Sequence, residues 1–307
     1  MPPHTEWSWV EAYGLLSVDP QDVHGDWQQA RRSVEQALRR LVPADRMEAE
    51  LRRATLLRDA PPAELLETGS GWAALEEARR ATAGGTRLST AGTPFPPETL
   101  GARQAPWMEL LRTGRLPDTD HAISPILGHD WTQRLAEAPS TWQTELQLAY
   151  LARAAGDDAI AREHSYRSLR HRRTPWALRV LATINAEHGQ HAAAAEQHLA
   201  AYELAPSIRP LALDAGHALV SAGRAGDALA LVESLPSGQR SHGRVLLLEA
   251  TAAAESGDLS RARSILRAGL VVNDVEEGER ALHQLWRAVF PGEPLPYAYD
   301  FRMRTSD

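Results

Sequence analysis

Four glycines set the frame of this chain. Gly156, Gly189, Gly223 and Gly257 follow apolar helical stretches at spacings of 33, 34 and 34 residues. So even and so long a period requires one supersecondary unit repeated in series, because a lone helix or strand repeats its pattern within a few residues. Two further columns share the register. Ala161, Ala194, Ala228 and Ala262 stand five residues after each glycine, and Ala149, Ala182, Gly216 and Ala250 stand seven before it. Small residues at matched positions let the two helices of a hairpin, and neighbouring hairpins, approach closely.

Helical hairpins of about 34 residues with a small residue at the turn resemble tetratricopeptide repeats. The expected fold class is therefore all-α, with an irregular helical half over 1–139. An α-solenoid of about four degenerate tetratricopeptide-like hairpins with a C-terminal capping helix follows over 140–290. An irregular tail occupies 291–307. Thr174 and Pro175 suit the cap and first turn of a helix, and Asp258 suits the cap of a helix over Leu259–Ala268. The repeats are degenerate: only the second closes on a proline, Pro206, and the return helices lack their packing aromatic. A helix over Glu276–Phe290, with Leu282, Leu285, Trp286 and Val289 on one face, is expected to cover the last apolar surface. Tyr297, Tyr299 and Phe301 are expected to pack back on the body.

In the first half, helices are expected at Asp26–Leu41, Pro43–Leu57, Pro62–Leu66, Trp72–Thr82, Pro106–Arg112 and Asp130–Ala138. Trp27, Ala30, Val34, Ala37, Leu38 and Leu41 recur close to a 3.6-residue period. Two irregular stretches, Ala83–Gln104 and Gly114–Gly128, carry Gly and Pro, and Thr5–Tyr13 is the one candidate strand.

Composition narrows the chemistry. All 33 basic residues are arginine, so a phosphate-cradling P-loop and Schiff-base catalysis, which both need a lysine, are excluded. No cysteine is present, which removes thiol nucleophiles, Fe–S clusters, Cys-type zinc sites and disulfides, and leans toward the cytoplasm. A net charge of −7 argues against nucleic-acid binding, and no stretch approaches the 18 apolar residues of a membrane span. The first residues, from Met1 to Trp7, lack the basic and apolar regions of a signal peptide.

Several stretches bear a further likeness. Trp9-Val-Glu-Ala-Tyr-Gly14, Val23-His-Gly-Asp-Trp27, Gly69-Ser-Gly-Trp-Ala-Ala-Leu-Glu76, Thr174-Pro-Trp-Ala-Leu178 and Tyr299-Asp-Phe-Arg-Met303 resemble a bacterial family of unknown function. In that family an aldose-mutarotase-like β-sandwich precedes a tetratricopeptide region. The resemblance covers nearly the whole chain but only the family's helical part, with residues 1–18 at the sandwich boundary. It implies a carbohydrate-related context and a mutarotase-like β-sandwich as partner, and it carries no catalytic residue over.

No catalytic group, cofactor or metal is expected. His188, His191 and His198 lie close together but offer no i,i+4 pair with a third ligand. The run Arg162, Arg167, Arg170, His171, Arg172 and Arg173 suits either an anion or a solvated helix end. Asp157–Asp158 and Glu276–Glu277 are neighbours that do not face each other on a helix. Gly69-Ser-Gly71 lacks the spacing of a nucleophile elbow.

Two surfaces remain. Reading thirteen, ten, six and three residues before each turn glycine selects a concave face of Gln143, Tyr150, Arg153, Trp176, Arg179, Thr183, His217, Arg244 and Thr251. Arginine recurs there and no acid does, so the expected ligand is a protein or acidic peptide, against the plainer reading of an ordinary polar solenoid face. Trp7, Trp9, Glu11 and Tyr13 are the candidates for contact with a sandwich. The expected function is a non-enzymatic scaffold; the alternative is the helical accessory part of a carbohydrate-active enzyme.

Overall fold

The computed structural model describes residues 5, 7–57, 60, 63–64, 66, 70–89, 93–276 and 278–302. Among them the secondary structure is helical and no strand occurs. The chain divides into two units, 1–111 and 112–307.

The first unit holds α1 (Pro20–Val23), α2 (Trp27–Leu41), α3 (Ala44–Leu57), α4 (Gly71–Thr82) and most of α5 (Ala105–Thr113). Asp26 caps α2 by accepting from the Gln29 amide at 2.9 Å, satisfying a first-turn donor that no intrahelical partner reaches. Gly71 opens α4 against the Thr99–Leu100 backbone, where a Cβ would fall 2.4 Å from the Thr99 carbonyl oxygen. The expected helices over Asp26–Leu41, Pro43–Leu57, Trp72–Thr82 and Pro106–Arg112 are thus present within a residue or two at each end.

Three expectations are corrected or fall outside. The strand at 5–13 does not form: its described residues are irregular, and no strand occurs among the described residues to pair with them. In the expected helix at 62–66, Pro62 and Leu65 lie outside the described residues, and Ala63, Glu64 and Leu66 are not helical. Gly69, Glu277 and Met303, which belong to motifs singled out above, also lie outside.

The second unit is a succession of hairpins. After α6 (His129–Glu137) come α7 (Trp142–Ala154) with α8 (Asp158–His171), then α9 (Pro175–Glu187) with α10 (His191–Leu204). The third pair is α11 (Arg209–Ser221) with α12 (Ala225–Ser234), followed by the short α13 (Ser237–Arg240). The fourth is α14 (Gly243–Glu255) with α15 (Leu259–Arg267), and α16 (Ala281–Val289) covers it. The four turn glycines all adopt positive φ, from 73° to 89°, the left-handed conformation that costs other residues strain. At the first three turns the residue after the glycine donates its amide back to the first helix, for example Asp157 to the Ala152 carbonyl at 2.9 Å. That bond turns the chain sharply and satisfies an orphan carbonyl of the first helix.

Both small-residue columns are buried. Ala149, Ala182 and Ala250, and Ala161, Ala194, Ala228 and Ala262, have essentially no exposed surface, and Gly216 lies against the Leu248 side chain. The apolar side chains form a series of local cores, each bridging neighbouring helices. One joins Leu146 and Ala149 to Val180 and Ile184, and the last joins Leu247 and Leu266 to Leu285, Trp286 and Tyr299. Fully burying a Leu- or Ile-sized side chain contributes about 1.5–3 kcal/mol, so these cores dominate the stability of the stack.

At the N-terminal end, three side chains of α7 pin an extended segment. Gln143 donates to the Thr119 hydroxyl at 2.8 Å and the His121 carbonyl at 2.6 Å, and accepts from the Ile123 amide at 3.2 Å. Gln147 donates to the Ile123 carbonyl at 2.9 Å, and the Trp142 indole to Asp118 at 2.9 Å. This segment and α6 pack on α7 and belong with the hairpins to the second unit.

At the other end α16 begins at Ala281, later than expected, because Gly278 takes positive φ and breaks the helix. Tyr299 packs back as expected: its hydroxyl donates to the Leu266 carbonyl at 2.8 Å and accepts from the Leu270 amide at 2.9 Å. Phe301 is half-buried and packs against the last core, whereas Tyr297 is exposed.

A pair of glycines tests this packing. A Cβ on Gly243 would meet the Val271 carbonyl oxygen at 2.1 Å, while one on Gly226 meets nothing. Gly243→Ala should therefore lower unfolding free energy by about 1–3 kcal/mol, a typical overpacking cost. Gly226→Ala, inside α12, should raise it by about 0.5–1 kcal/mol. Urea titrations of the two variants check both signs.

Candidate binding groove

The first helices of the hairpins bring Tyr150, Arg153, Trp176, Arg179, Val180 and Thr183 around one open cleft of about 200 Å³. Five of the nine residues selected by register meet there. Tyr150 and Arg153 come from the last turns of α7, and the others from α9, whose first turn Pro175 starts. Trp176 and Tyr150 give the cleft aromatic walls. Burial pushes the Tyr150 hydroxyl up to about 12, partly offset by Arg179, so it stays a neutral donor at physiological pH.

The arginines are not bare. Arg179 donates to Asp214 at 2.5 Å, and Arg153 bonds both carboxylate oxygens of Glu187, at 2.7 and 2.8 Å, and also pairs with Asp158. Arg244 reaches Asp274 at 2.9 Å and Glu279 at 2.6 Å. The expectation that no acid appears on this face is thereby overturned. Each carboxylate lies 30 to 35 residues along from its arginine, or just beyond the turn, one or more positions off the register used to choose the face. The sequence does carry this signal, since an Arg followed by an acid about one repeat later recurs three times.

The other selected residues are elsewhere or occupied. Gln143 is wholly buried and committed to the 119–123 segment, so it is no groove residue. The hydroxyls of Thr183 and Thr251 bond back to the Arg179 and Leu247 carbonyls of their own helices, at 3.0 and 2.8 Å. Arg244 also donates to the Asp274 carbonyl at 2.7 Å, which makes it an anchor for the loop before α16.

His217 is reached by water yet crowded by protein, and that crowding lowers its pKa; Asp214 opposes the shift and Arg244 adds to it. Nearby His198 is buried, which lowers its pKa in the same way, again against Asp214 and with Arg179. Its Nδ1 has no hydrogen-bond partner. Both rings are therefore held neutral near pH 7.

Several of the remaining motif residues are engaged in capping and ion pairs. Asp157 caps α8 through the Ile160 amide at 3.0 Å, and Asp158 pairs with Arg153 and His188. In the basic run, Arg162 donates to Asn185, Arg167 pairs with Glu163, and Arg172 pairs with Asp120 while lying 5.3 Å over the Trp142 ring. Buried Glu145 accepts from Ser140 at 2.5 Å and lies 2.7 Å from His164. Burial opposes its ionisation, but these hydrogen bonds outweigh burial and hold its carboxyl below the usual range. The Ser140 hydroxyl, which donates to Glu145, also lies 2.9 Å from the His171 Nε2. Trp7, Trp9 and Tyr13 are exposed, and the Tyr13 hydroxyl donates to Glu11. Among the described residues no His, Asp or Glu group is arranged to hold a metal, and no helix is long and apolar enough to cross a membrane.

No family model matches the chain, and no curated protein matches it. A solved structure from the functional characterization of Pseudomonas aeruginosa pilF is similar to it at 16% sequence identity with a TM-score of 0.40, covering 72% of this chain and 95% of that one. At that distance the likeness assigns no role here. The fold itself, a tetratricopeptide-like stack of helical hairpins, rests on the turns, columns and cores described above.

The two histidines predict a stability slope. Their folded pKa values lie below the ordinary value of 6.5 that the unfolded chain retains. Between those limits the unfolded chain binds more protons, so stability is present above about pH 6.5 and is lost as pH falls toward the folded values. The Glu145 and Asp158 carboxyls are held below the usual carboxylate range, so their losses come at lower pH still. Urea midpoints should fall between neutral and mildly acidic pH, and His198→Gln should flatten that fall; a variant with an unchanged slope contradicts the assignment.

Proposed function

We propose that this chain is a non-enzymatic scaffold that binds a protein through its concave face, taking an acidic segment with an apolar or aromatic side chain in the cleft at Tyr150, Arg153, Trp176, Arg179 and Thr183. The observation that carries the reading is the convergence of two arginines and two aromatic rings from successive hairpins on one open cleft. A carboxylate from the partner would compete with Asp214 for Arg179, whose guanidinium is about half-exposed and accessible for exchange. Exposed pairs of this kind are worth only about 0.2–1 kcal/mol, so exchange is cheap.

That competition supplies the test. A fluorescently labelled peptide of alternating glutamate and leucine with one tryptophan should bind, and binding should weaken with salt. Arg179→Gln should weaken it about tenfold, as loss of one charge-assisted contact does, while Asp214→Asn should tighten it by freeing the guanidinium. Equal affinity in all three proteins would rule out the cleft.

A second reading has its own observation, the exposure of Trp7, Trp9 and Tyr13. Three bare aromatics suit a folded partner, such as a mutarotase-like β-sandwich, which would make this chain the accessory part of a carbohydrate-related enzyme. Partner capture lost in Trp7→Ala with Trp9→Ala, yet kept in Arg179→Gln, would favour it.

A further inference from the structure

Glu145 on α7 is only 3% exposed, and a buried carboxylate is tolerated where hydrogen bonds replace its water. Ser140 donates to one of its oxygens at 2.5 Å, and the Nδ1 of His164, on α8, lies 2.7 Å from the other. Because a carboxylate accepts, Nδ1 carries the proton between them, and the bond fixes how the imidazole is turned. In the neutral ring Nε2 then holds a lone pair, and none of the described residues hydrogen-bonds to it.

That ring lines a hollow. Where the beginning of α6 meets the second half of α7 and α8, the fold leaves about 510 Å³, floored by Leu148, Leu151 and Ala152 and lipped by Leu127 and Ile160. Other polar side chains of the lining are engaged. Asp157 caps α8 through the Ile160 amide at 3.0 Å, Thr132 bonds back to the Gly128 carbonyl at 3.4 Å, and the His129 Nε2 lies 3.2 Å from the Gln133 side chain. An apolar space of this size with a few placed polar groups has the make-up of a small-molecule site. Tying α8 to α7 needs only the Nδ1 bond, and does not require the ring to border an apolar hollow.

We propose that the α6–α8 hollow binds a small neutral amphiphile, an aliphatic alcohol whose chain lies on Leu148 and Leu151 and whose hydroxyl donates to the His164 Nε2. Burial of the chain supplies affinity, and the hydrogen bond supplies selection. A site that bonds a hydroxyl rejects an analogue lacking it, because the acceptor is left unpaired. A carboxylate head would set its charge against the same lone pair. An ammonium head would leave water for a wall whose carboxylate, Asp157, already caps α8. The site shares no lining residue with the concave cleft, so it stands or falls apart from peptide binding there.

Calorimetric titration of the full chain with octanol, alongside nitrogen NMR of histidine-labelled protein, tests this. Octanol should saturate a single site and shift the His164 Nε2 signal. Affinity should rise about fourfold for each methylene from hexanol to octanol. Octyl methyl ether, which cannot donate, and octanoate should each bind about tenfold more weakly than octanol. His164→Phe should lose that preference for octanol over the ether. The comparison on the wild-type chain needs no variant, so it decides even where His164→Phe does not fold. Ile160→Glu, at a lip position 45% exposed, should weaken octanol about tenfold or more with circular dichroism unchanged. No saturable shift at His164, equal binding of octanol and its ether, tighter binding of octanoate, or full affinity in Ile160→Glu would each overturn the proposal.

Discussion

Everything in residues 140–290 depends on helices coming close enough to share their apolar faces. The alanine columns at 149, 182 and 250 and at 161, 194, 228 and 262 make that approach possible, because a larger side chain at any of them would hold adjacent helices apart. No hairpin buries its apolar surface alone. Each local core borrows side chains from the next hairpin, so the array is a chain of nearest-neighbour contacts and not one central core. The ends need separate solutions. Gln143, Gln147 and Trp142 hold an extended segment over the first helix, and α16 with Tyr299 closes the last.

The same repetition builds the groove. A stack with a fixed step places chemically similar positions at regular intervals on one face, so an arginine in one hairpin meets a carboxylate in the next. Such exposed pairs contribute little stability compared with the buried leucines. Their effect is on recognition: they hold guanidinium groups in a defined orientation and set a threshold that a ligand carboxylate must pass. Tyr150 and Trp176 add aromatic surface beside them.

Much of this is legible in the amino-acid sequence. Glycine spacing locates the turns, the alanine columns locate the helix contacts, and the groove register brings five of nine residues to one cleft. What the register misses follows from what a period encodes. It identifies equivalent positions but not their cross-repeat neighbours, so Asp214 and Glu187 fall just outside the chosen positions. Gln143 falls on the groove register but is taken by a non-repeating segment that no periodicity describes. A hint is present, for Gln143 and Gln147 lie one helical turn apart on a helix whose neighbouring positions are buried. The first 111 residues have no repeat to lean on. Helix periodicity finds their main elements, while the expected strand fails because its sequence alone does not supply a pairing partner.

The most direct test of the groove is hydroxyl-radical footprinting of the intact chain with and without an acidic, tryptophan-containing peptide. Tyr150 and Trp176 should become protected, while Trp27 and Tyr297, exposed and far from the groove in sequence, should react as before. Protection confined to Trp7, Trp9 or Trp27, with Trp176 unchanged, would contradict the account and move the binding surface to the first unit.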